Sequence, residues 1–236
     1  MALGRLARAY LIAYNAVQLC LWAYAATALA THLPTGLVAA YNSAAPVVRV
    51  AQVAAVAEIG HAATGLAGGG VGVAAIQVLG RGLVLFGVLG ALPAGGGTPE
   101  GVGLLAVWAA VEVVRYPFYL ASLLAGDGDS GGGGGVPAVL TWARYTAFLP
   151  LYPLGIAAEV AVYLRALPAI DATGLYRVAL PNDANFAFDF GTFIRAGLPF
   201  YLIAGPVLYG HMLRQRRRKL GGRTGAVKGR TDASNR

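Results

Sequence analysis

The residues best placed to do chemistry lie in one apolar stretch that reads Trp142-Ala-Arg144-Tyr145-Thr146-Ala-Phe148-Leu-Pro150-Leu-Tyr152-Pro153-Leu-Gly155-x3-Glu159. Tyr145, Tyr152 and Glu159 recur every seven residues, so on a helix they share one stripe. Pro150 and Pro153 each remove an amide donor and crowd the preceding turn. The carbonyls of Thr146 and Leu149 then lose their helical partners, and a kink or break is expected. Tyr152 precedes a proline and is pushed away from helical geometry. Glu159 lies two turns further, about 10.5 Å along the axis. A phenol and a carboxylate so spaced can converge on a substrate held between them. A carboxylate taken out of water gains proton affinity, as a general base requires, and tyrosine can donate a proton or a hydrogen bond. The spacing is equally compatible with a structural role, in which Tyr152 caps the kink and Glu159 pairs with Arg115 or Arg165.

Two further groups carry charge inside apolar runs. Glu58 and His61 are three apart on one helical face, followed by Gln77-x3-Arg81. Di-iron bundles also use Glu-x-x-His, but in two copies with additional Glu residues; here there is one copy. The group reads either as a polar tie between two helices, with Arg81 neutralising Glu58, or as a substrate contact. The second group is Trp108-x3-Glu112-x2-Arg115-Tyr116-Pro117-Phe118-Tyr119. Positions 108, 112, 115 and 119 follow one helical face. Glu112 and Arg115 can form an ion pair near the helix end. Alternatively Arg115, with Tyr116 or Tyr119, lines a pocket for an anionic head group, since the planar guanidinium donates two bonds to phosphate at once. The single cysteine, Cys20, excludes an internal disulfide framework and a multi-cysteine metal site. It reads as a small buried apolar group. A Cys-x5-Arg phosphatase loop would need Arg where Ala26 stands.

The elements that must hold these residues follow from composition. The 236-residue chain is 57% hydrophobic and 12% charged, with mean hydropathy +0.62. A soluble domain carries about 25% charged residues, so a water-facing enzyme is excluded, as is disorder of the whole chain. Six apolar runs, at about 9–30, 47–67, 71–91, 102–124, 137–166 and 192–213, are each long enough to cross a bilayer. They lack the two-residue alternation of strands. Breaks separate them: Thr31 to Pro46, Gly68 to Gly70, Leu92 to Pro99, a Gly-rich linker at 126–135, and Leu167 to Asp189. The first run is too long and too polar, with Tyr10, Tyr14, Asn15 and Gln18, for a signal peptide. The expected fold is therefore all-α: a polytopic membrane protein with six transmembrane helices in one bundle over residues 1–213, followed by a basic, largely disordered cytosolic tail at 214–236. That tail holds nine of the 18 Lys and Arg residues and one acid, so the net charge of +8 resides there. With Arg5 and Arg8 before the first span, the positive-inside rule places both termini in the cytosol. No nucleic-acid reading module accompanies the tail, and anionic lipid is its expected partner. No internal repeat supports a transporter of inverted halves, and no ring of like charges supports a channel.

Five blocks, taken in order, resemble the very-long-chain (3R)-3-hydroxyacyl-CoA dehydratase family, once called protein tyrosine phosphatase-like proteins. They are Tyr10-Leu11-x2-Tyr14-Asn15-x2-Gln18-x3-Trp22; Glu58-Ile59-x-His61-x3-Gly65-Leu66 with Gln77-Val78-x2-Arg81; Glu112-Val-Val-Arg115-Tyr116-x-Phe118-Tyr119; the stretch from Arg144 to Glu159; and Leu208-Tyr209-Gly210-His211-Met212-Leu213 with Gln215-Arg216-Arg217. The resemblance implies a six-span enzyme of the endoplasmic reticulum membrane that removes water from a 3-hydroxyacyl-CoA to give the trans-2-enoyl-CoA, the third step of fatty-acid elongation. It implies Tyr152 and Glu159 as the catalytic pair, with no metal or redox cofactor. Glu159 is assigned as base at C2 and Tyr152 as acid at the C3 hydroxyl, although the sequence is equally compatible with the reverse. The acyl chain would lie among the helices, with the CoA phosphates at the cytosolic mouth near Arg115, Tyr116, Arg144, Tyr145 and Arg81. Membrane lipid and the other elongation enzymes (condensing enzyme, 3-ketoacyl-CoA reductase and enoyl-CoA reductase) are the implied partners. The competing reading is a non-catalytic membrane adaptor of the same fold. Two departures stand out: Gly80 where the family usually has Ser, and Pro117 in place of a small residue, which should sharpen the end of the fourth span. No Lys-Lys signal ends the sequence, so residence in the endoplasmic reticulum rests on the resemblance.

Overall fold

Helix α1, Arg5–His32, buries Leu11, Asn15, Gln18, Trp22, Ala25 and Leu29 along one stripe. Their alternating spacing of three and four is that of a helix–helix seam. Cys20 lies off that stripe and is exposed, so it faces outward rather than being buried as the apolar run alone implies. Helix α2, Leu37–Ala54, returns against α1 through Ala40, Ala44, Ala45 and Ala51, small residues that let backbones approach closely in lipid. The structure is a computed structural model and describes residues 4–68, 70–125 and 136–233, with side chains of the last helix described to Leu220. Helix α3, Val56–Ala63, extends α2. Helix α4, Val71–Gly82, passes into a π-helical stretch at Leu83–Val88. Then come α5, Pro99–Ala125; α6, Ala138–Arg144; α7, Phe148–Thr173; and α8, Phe190–Ala233. Among the described residues the one β contact is an isolated antiparallel bridge between Val178 and Phe188. Among the described residues six helical stretches are long and apolar enough to cross a membrane: Arg5–Thr35, Leu37–Ala63, Val71–Ala91, Ala94–Ala125, Ala138–Thr173 and Phe190–Leu220. The fold is the all-α, polytopic, six-helix arrangement that the composition predicts.

The second span starts at Leu37 and runs through Pro46, where the sequence reading places a break from Thr31 to Pro46. Pro117 likewise lies inside α5, which continues to Ala125, so it does not end the fourth span. The physical reason is common to both. In lipid an interrupted helix exposes several unpaired amides and carbonyls, whereas a helix that continues through proline loses one bond.

Helix α1 packs on α2 and α5, α5 on α7, and α7 on α8. Trp22, Val48, Leu85, Leu104, Leu105 and Tyr116 fill the core between them. Arg8 donates to the Leu123 and Leu124 carbonyls at 2.8 and 3.1 Å, tying the start of α1 to the end of α5, where a cation also complements the helix dipole. Arg216 Nε approaches Thr146 Oγ1 at 3.5 Å, tying α8 to the turn between α6 and α7. These contacts gather the start of α1, the end of α5 and the last apolar turns of α8 at one end of the bundle. The Gly-rich linker at 126–135 lies outside the described residues. The backbone of α8 continues helically to Ala233; the side chains beyond Leu220, where the composition predicts disorder, lie outside the described ones.

Candidate active site

The fifth span is broken, as its prolines require, but at Tyr145–Ala147 rather than at the prolines themselves. Pro150 falls in the first turn of α7, where an amide has no helical partner in any case. Pro153 lies within the helix and leaves the Leu149 carbonyl free. Tyr209 of α8 fills that vacancy: its hydroxyl donates to Leu149 O at 3.3 Å. Its ring stacks on Tyr152, with centroids 5.9 Å apart and planes at 20°. Two turns deeper, Tyr201 Oη donates to Glu159 Oε1 at 2.5 Å, and the Tyr163 ring lies 6.2 Å from that of Tyr201. Thus α7 presents Tyr152 and Glu159, both half-buried, to an antiparallel tyrosine pair on α8.

The bond from Tyr201 joins residues 42 positions apart, and sequence reasoning missed it. The one signal is its spacing of eight from Tyr209, one residue more than the interval between Tyr152 and Glu159. Tyr145 sits in the break and packs edge-on against Phe118 of α5 at 6.0 Å. The seven-residue stripe therefore holds within α7 and does not extend to Tyr145.

Glu159 pairs with neither arginine proposed for it. Arg165 reaches Glu100 at 3.5 Å. Arg115 belongs to a buried network: Nη2 donates to Glu58 Oε1 and Oε2 at 2.9 and 3.2 Å, and Nε contacts Glu112 Oε2 at 2.6 Å, without hydrogen-bond alignment. The other oxygen of Glu112 meets Arg81 Nη1 at 2.5 Å. Arg81 therefore neutralises Glu112, and Arg115 neutralises Glu58, in place of the Arg81–Glu58 pairing expected from the sequence. The cause is register: Glu112 on α5 stands between both guanidiniums and is 1% exposed. Tyr116 donates to Glu58 at 2.7 Å, Tyr14 does so at 3.4 Å, and Tyr10 shares a 2.8 Å hydrogen bond with His61. The Arg81 guanidinium also lies 5.1 Å from the Trp108 ring and 5.9 Å from Trp22. Two carboxylates and two guanidiniums cancel, which lets the charges stay inside apolar helices. The network binds α1, α3, α4 and α5 together.

Of the three arginines considered for an anionic ligand, Arg81 and Arg115 are occupied by carboxylates. Arg144, at the end of α6, lies 5.9 Å from the Tyr119 ring and has no carboxylate partner among the described residues. It stands at the same end of the bundle as the termini.

Antiparallel apolar helices with a neutralised charge network on one side, and a carboxylate outside any ion pair beside a phenol on the other, define a polytopic membrane protein with polar groups inside its helical layer. The family model described as "Protein tyrosine phosphatase-like protein, PTPLA" matches residues 52–222, and the chain belongs to this family. Mouse very-long-chain (3R)-3-hydroxyacyl-CoA dehydratase 2 is 33% identical over 219 residues, covering 92% of this chain and 83% of the relative. Mouse dehydratase 1 of the same name is 34% identical over 233 residues, or 96% and 78% of the two chains. The PASTICCINO 2 dehydratase of Arabidopsis thaliana is 34% identical over 214 residues, or 90% and 93%. These named relatives are hydro-lyases. No solved structure matches the chain.

Proposed function

We propose that the chain is a hydro-lyase that converts a (3R)-3-hydroxyacyl-CoA to the trans-2-enoyl-CoA, the third step of very-long-chain fatty-acid elongation, with Tyr152 and Glu159 as its acid–base pair. The observation that supports this most is the environment of Glu159. Every other carboxylate within the spans is held by arginine, whereas Glu159 meets a neutral phenol. A carboxylate outside any ion pair is available to accept a proton.

In this mechanism the thioester acidifies the C2 hydrogen. Glu159 takes that proton and the electron pair forms the C2–C3 double bond. The C3–O bond breaks as Tyr152 donates its proton, and the hydroxyl leaves as water. Return of the proton from Glu159 to Tyr152 resets the site, so the reaction consumes no net acid or base. General acid and base help of this kind is worth about 10²–10⁴-fold.

The CoA phosphates would enter at the end of the bundle that carries the termini. Arg144 and Tyr145 stand at that mouth, and Arg115, Tyr116 and Arg81 brace the wall behind it. The protein would reside in the endoplasmic reticulum membrane with both termini cytosolic, beside the condensing and reducing enzymes of the cycle and in contact with anionic lipid.

The test is dehydration by the protein purified in detergent. Tyr152→Phe and Glu159→Gln should each remove turnover, by about 10²-fold or more, while the variants elute and melt as the parent does. Full turnover by both variants would refute the site.

A further inference from the structure

The reading of Tyr152 and Glu159 as catalytic leaves open where the acyl chain lies, and the groove between α7 and α8 answers it. A cavity of about 460 Å³ is lined by Ile156 and Val160 of α7 and by Leu198, Tyr201 and Leu202 of α8, within the range of about 300–1,000 Å³ typical of small-molecule sites. Ile156 and Val160 bracket Glu159 in sequence. Tyr201, which holds Glu159, also forms part of the groove wall. Arg195, in an ion pair with Asp171, lines the groove as well, about 9 Å along α8 from Tyr201. A second cavity, of about 490 Å³, lies between α1 and α2 around Val17, Cys20 and Val47. It touches no member of the catalytic pair or of the charge network.

We propose that the α7–α8 groove takes the acyl chain of the substrate, from the carbons beyond C3 outward. Three observations support this occupant. First, Tyr201, whose hydroxyl holds Glu159, and Val160, the residue after Glu159, line the groove, so a chain whose C2 and C3 lie at Glu159 and Tyr152 has the groove beside it. Second, Glu159 is the deeper member of the pair. With CoA at the terminus-bearing end, the tail points towards Arg195. Third, the walls are aliphatic and the groove opens sideways, since Leu202 is 79% exposed. A groove open to lipid has no floor to limit length, and a chain that outruns it continues into the bilayer. Lipid tails are as apolar as leucine, so the groove contributes alignment of C2 and C3 rather than hydrophobic affinity.

This inference rests on the proposed catalytic pair, and the experiment separates the two. Leu202→Trp fills the groove from its lipid-facing wall, Ile156→Phe fills it from α7, and Val17→Trp fills the other cavity as a control. Each is assayed for kcat/KM on a short and a long 3-hydroxyacyl-CoA, with melting as the check on folding. The expected result is about a tenfold loss on the long substrate relative to the short one for Leu202→Trp, or for Ile156→Phe if the first does not fold, and no change for Val17→Trp. An unchanged length profile, as for a groove filled by lipid only, would overturn the inference, as would equal losses on both lengths in a folded variant. In either case a dead Glu159→Gln shows that the catalytic reading stands. An active Glu159→Gln would instead remove the premise.

Discussion

At the scale of single residues, the carboxylates divide by partner. Glu112 is buried between Arg81 and Arg115, and Glu159 has one neutral donor. The same isosteric change should therefore act oppositely at the two positions. Glu112→Gln leaves two guanidiniums short of a counter-charge inside the bundle, and a broken buried pair costs about 3–5 kcal/mol. Glu159→Gln removes a charge that belongs to no ion pair, and should leave the melting temperature in detergent unchanged while abolishing dehydration. A melting scan of both variants beside the assay checks the contrast, and equal destabilisation would contradict it. The spacing of Tyr152 and Glu159 was legible because both lie on one helix. The partner Tyr201 was not, because a hydrogen bond across 42 residues leaves no local pattern. The exchange of partners among Glu58, Arg81, Glu112 and Arg115 was hidden for the same reason: helical faces can be read from sequence, but the register between helices cannot.

At the scale of elements, proline is the instructive residue. Pro150 and Pro153 predict a broken span, but the break falls at Tyr145–Ala147, and Pro153, like Pro46 and Pro117, lies within a helix that continues. The propensity rule is the same in each case. Whether the carbonyl that loses its partner finds another donor depends on neighbours. At Pro153 the donor is Tyr209. Pro153→Ala restores the amide to the Leu149 carbonyl, displaces the Tyr209 hydroxyl from it and so shifts the ring stacked on Tyr152. Stability should hold or rise by about 1 kcal/mol, while turnover falls by about 10²-fold for a displacement near 1 Å. Parallel melting and assay check this, and unchanged turnover would show that the Tyr209 contact does not position Tyr152.

The start of α8 gives a prediction in pH. The backbone N–H of Thr192 donates to Asp189 Oδ1 at 2.7 Å, and this bond holds the Asp189 carboxyl below its usual range. A depressed value means that the cap is fully present above the unfolded-state pKa and is lost as pH falls through the folded-state value. Amide exchange at Thr192, corrected for its intrinsic rate, should therefore accelerate in that acid window. Asp189→Asn keeps an acceptor and should remove the pH dependence, and a dependence that persists in that variant would assign it to another group.

At the scale of the whole molecule, charge distribution and packing point to one orientation. Composition made six spans legible, and the even count puts both ends on one side. Independently, the contacts of Arg8 with the end of α5 and of Arg216 with the turn before α7 gather those segments at one end. The opposite end carries the uncharged turn at Thr35 and the connection from Gly174 to Asp189, where Arg177 is outnumbered by Asp183 and Asp189. Basic residues near the spans stay on the cytosolic side, so the end bearing Arg5, Arg8 and the run from Arg214 to Lys219 is predicted to face the cytosol. The lone Cys20 makes this measurable once it is replaced by Ser. In sealed microsomes, an impermeant maleimide should label Gln215→Cys at once, but should reach Thr35→Cys and Asp183→Cys only after detergent. Labelling of Thr35→Cys without detergent would invert the topology, and labelling of just one of the two far-side positions would require an odd number of crossings between them. An inverted topology would also move the mouth beside Arg144 to the lumen, away from the cytosolic CoA that the proposed reaction needs, so the orientation test bears on the chemistry as directly as it does on the fold.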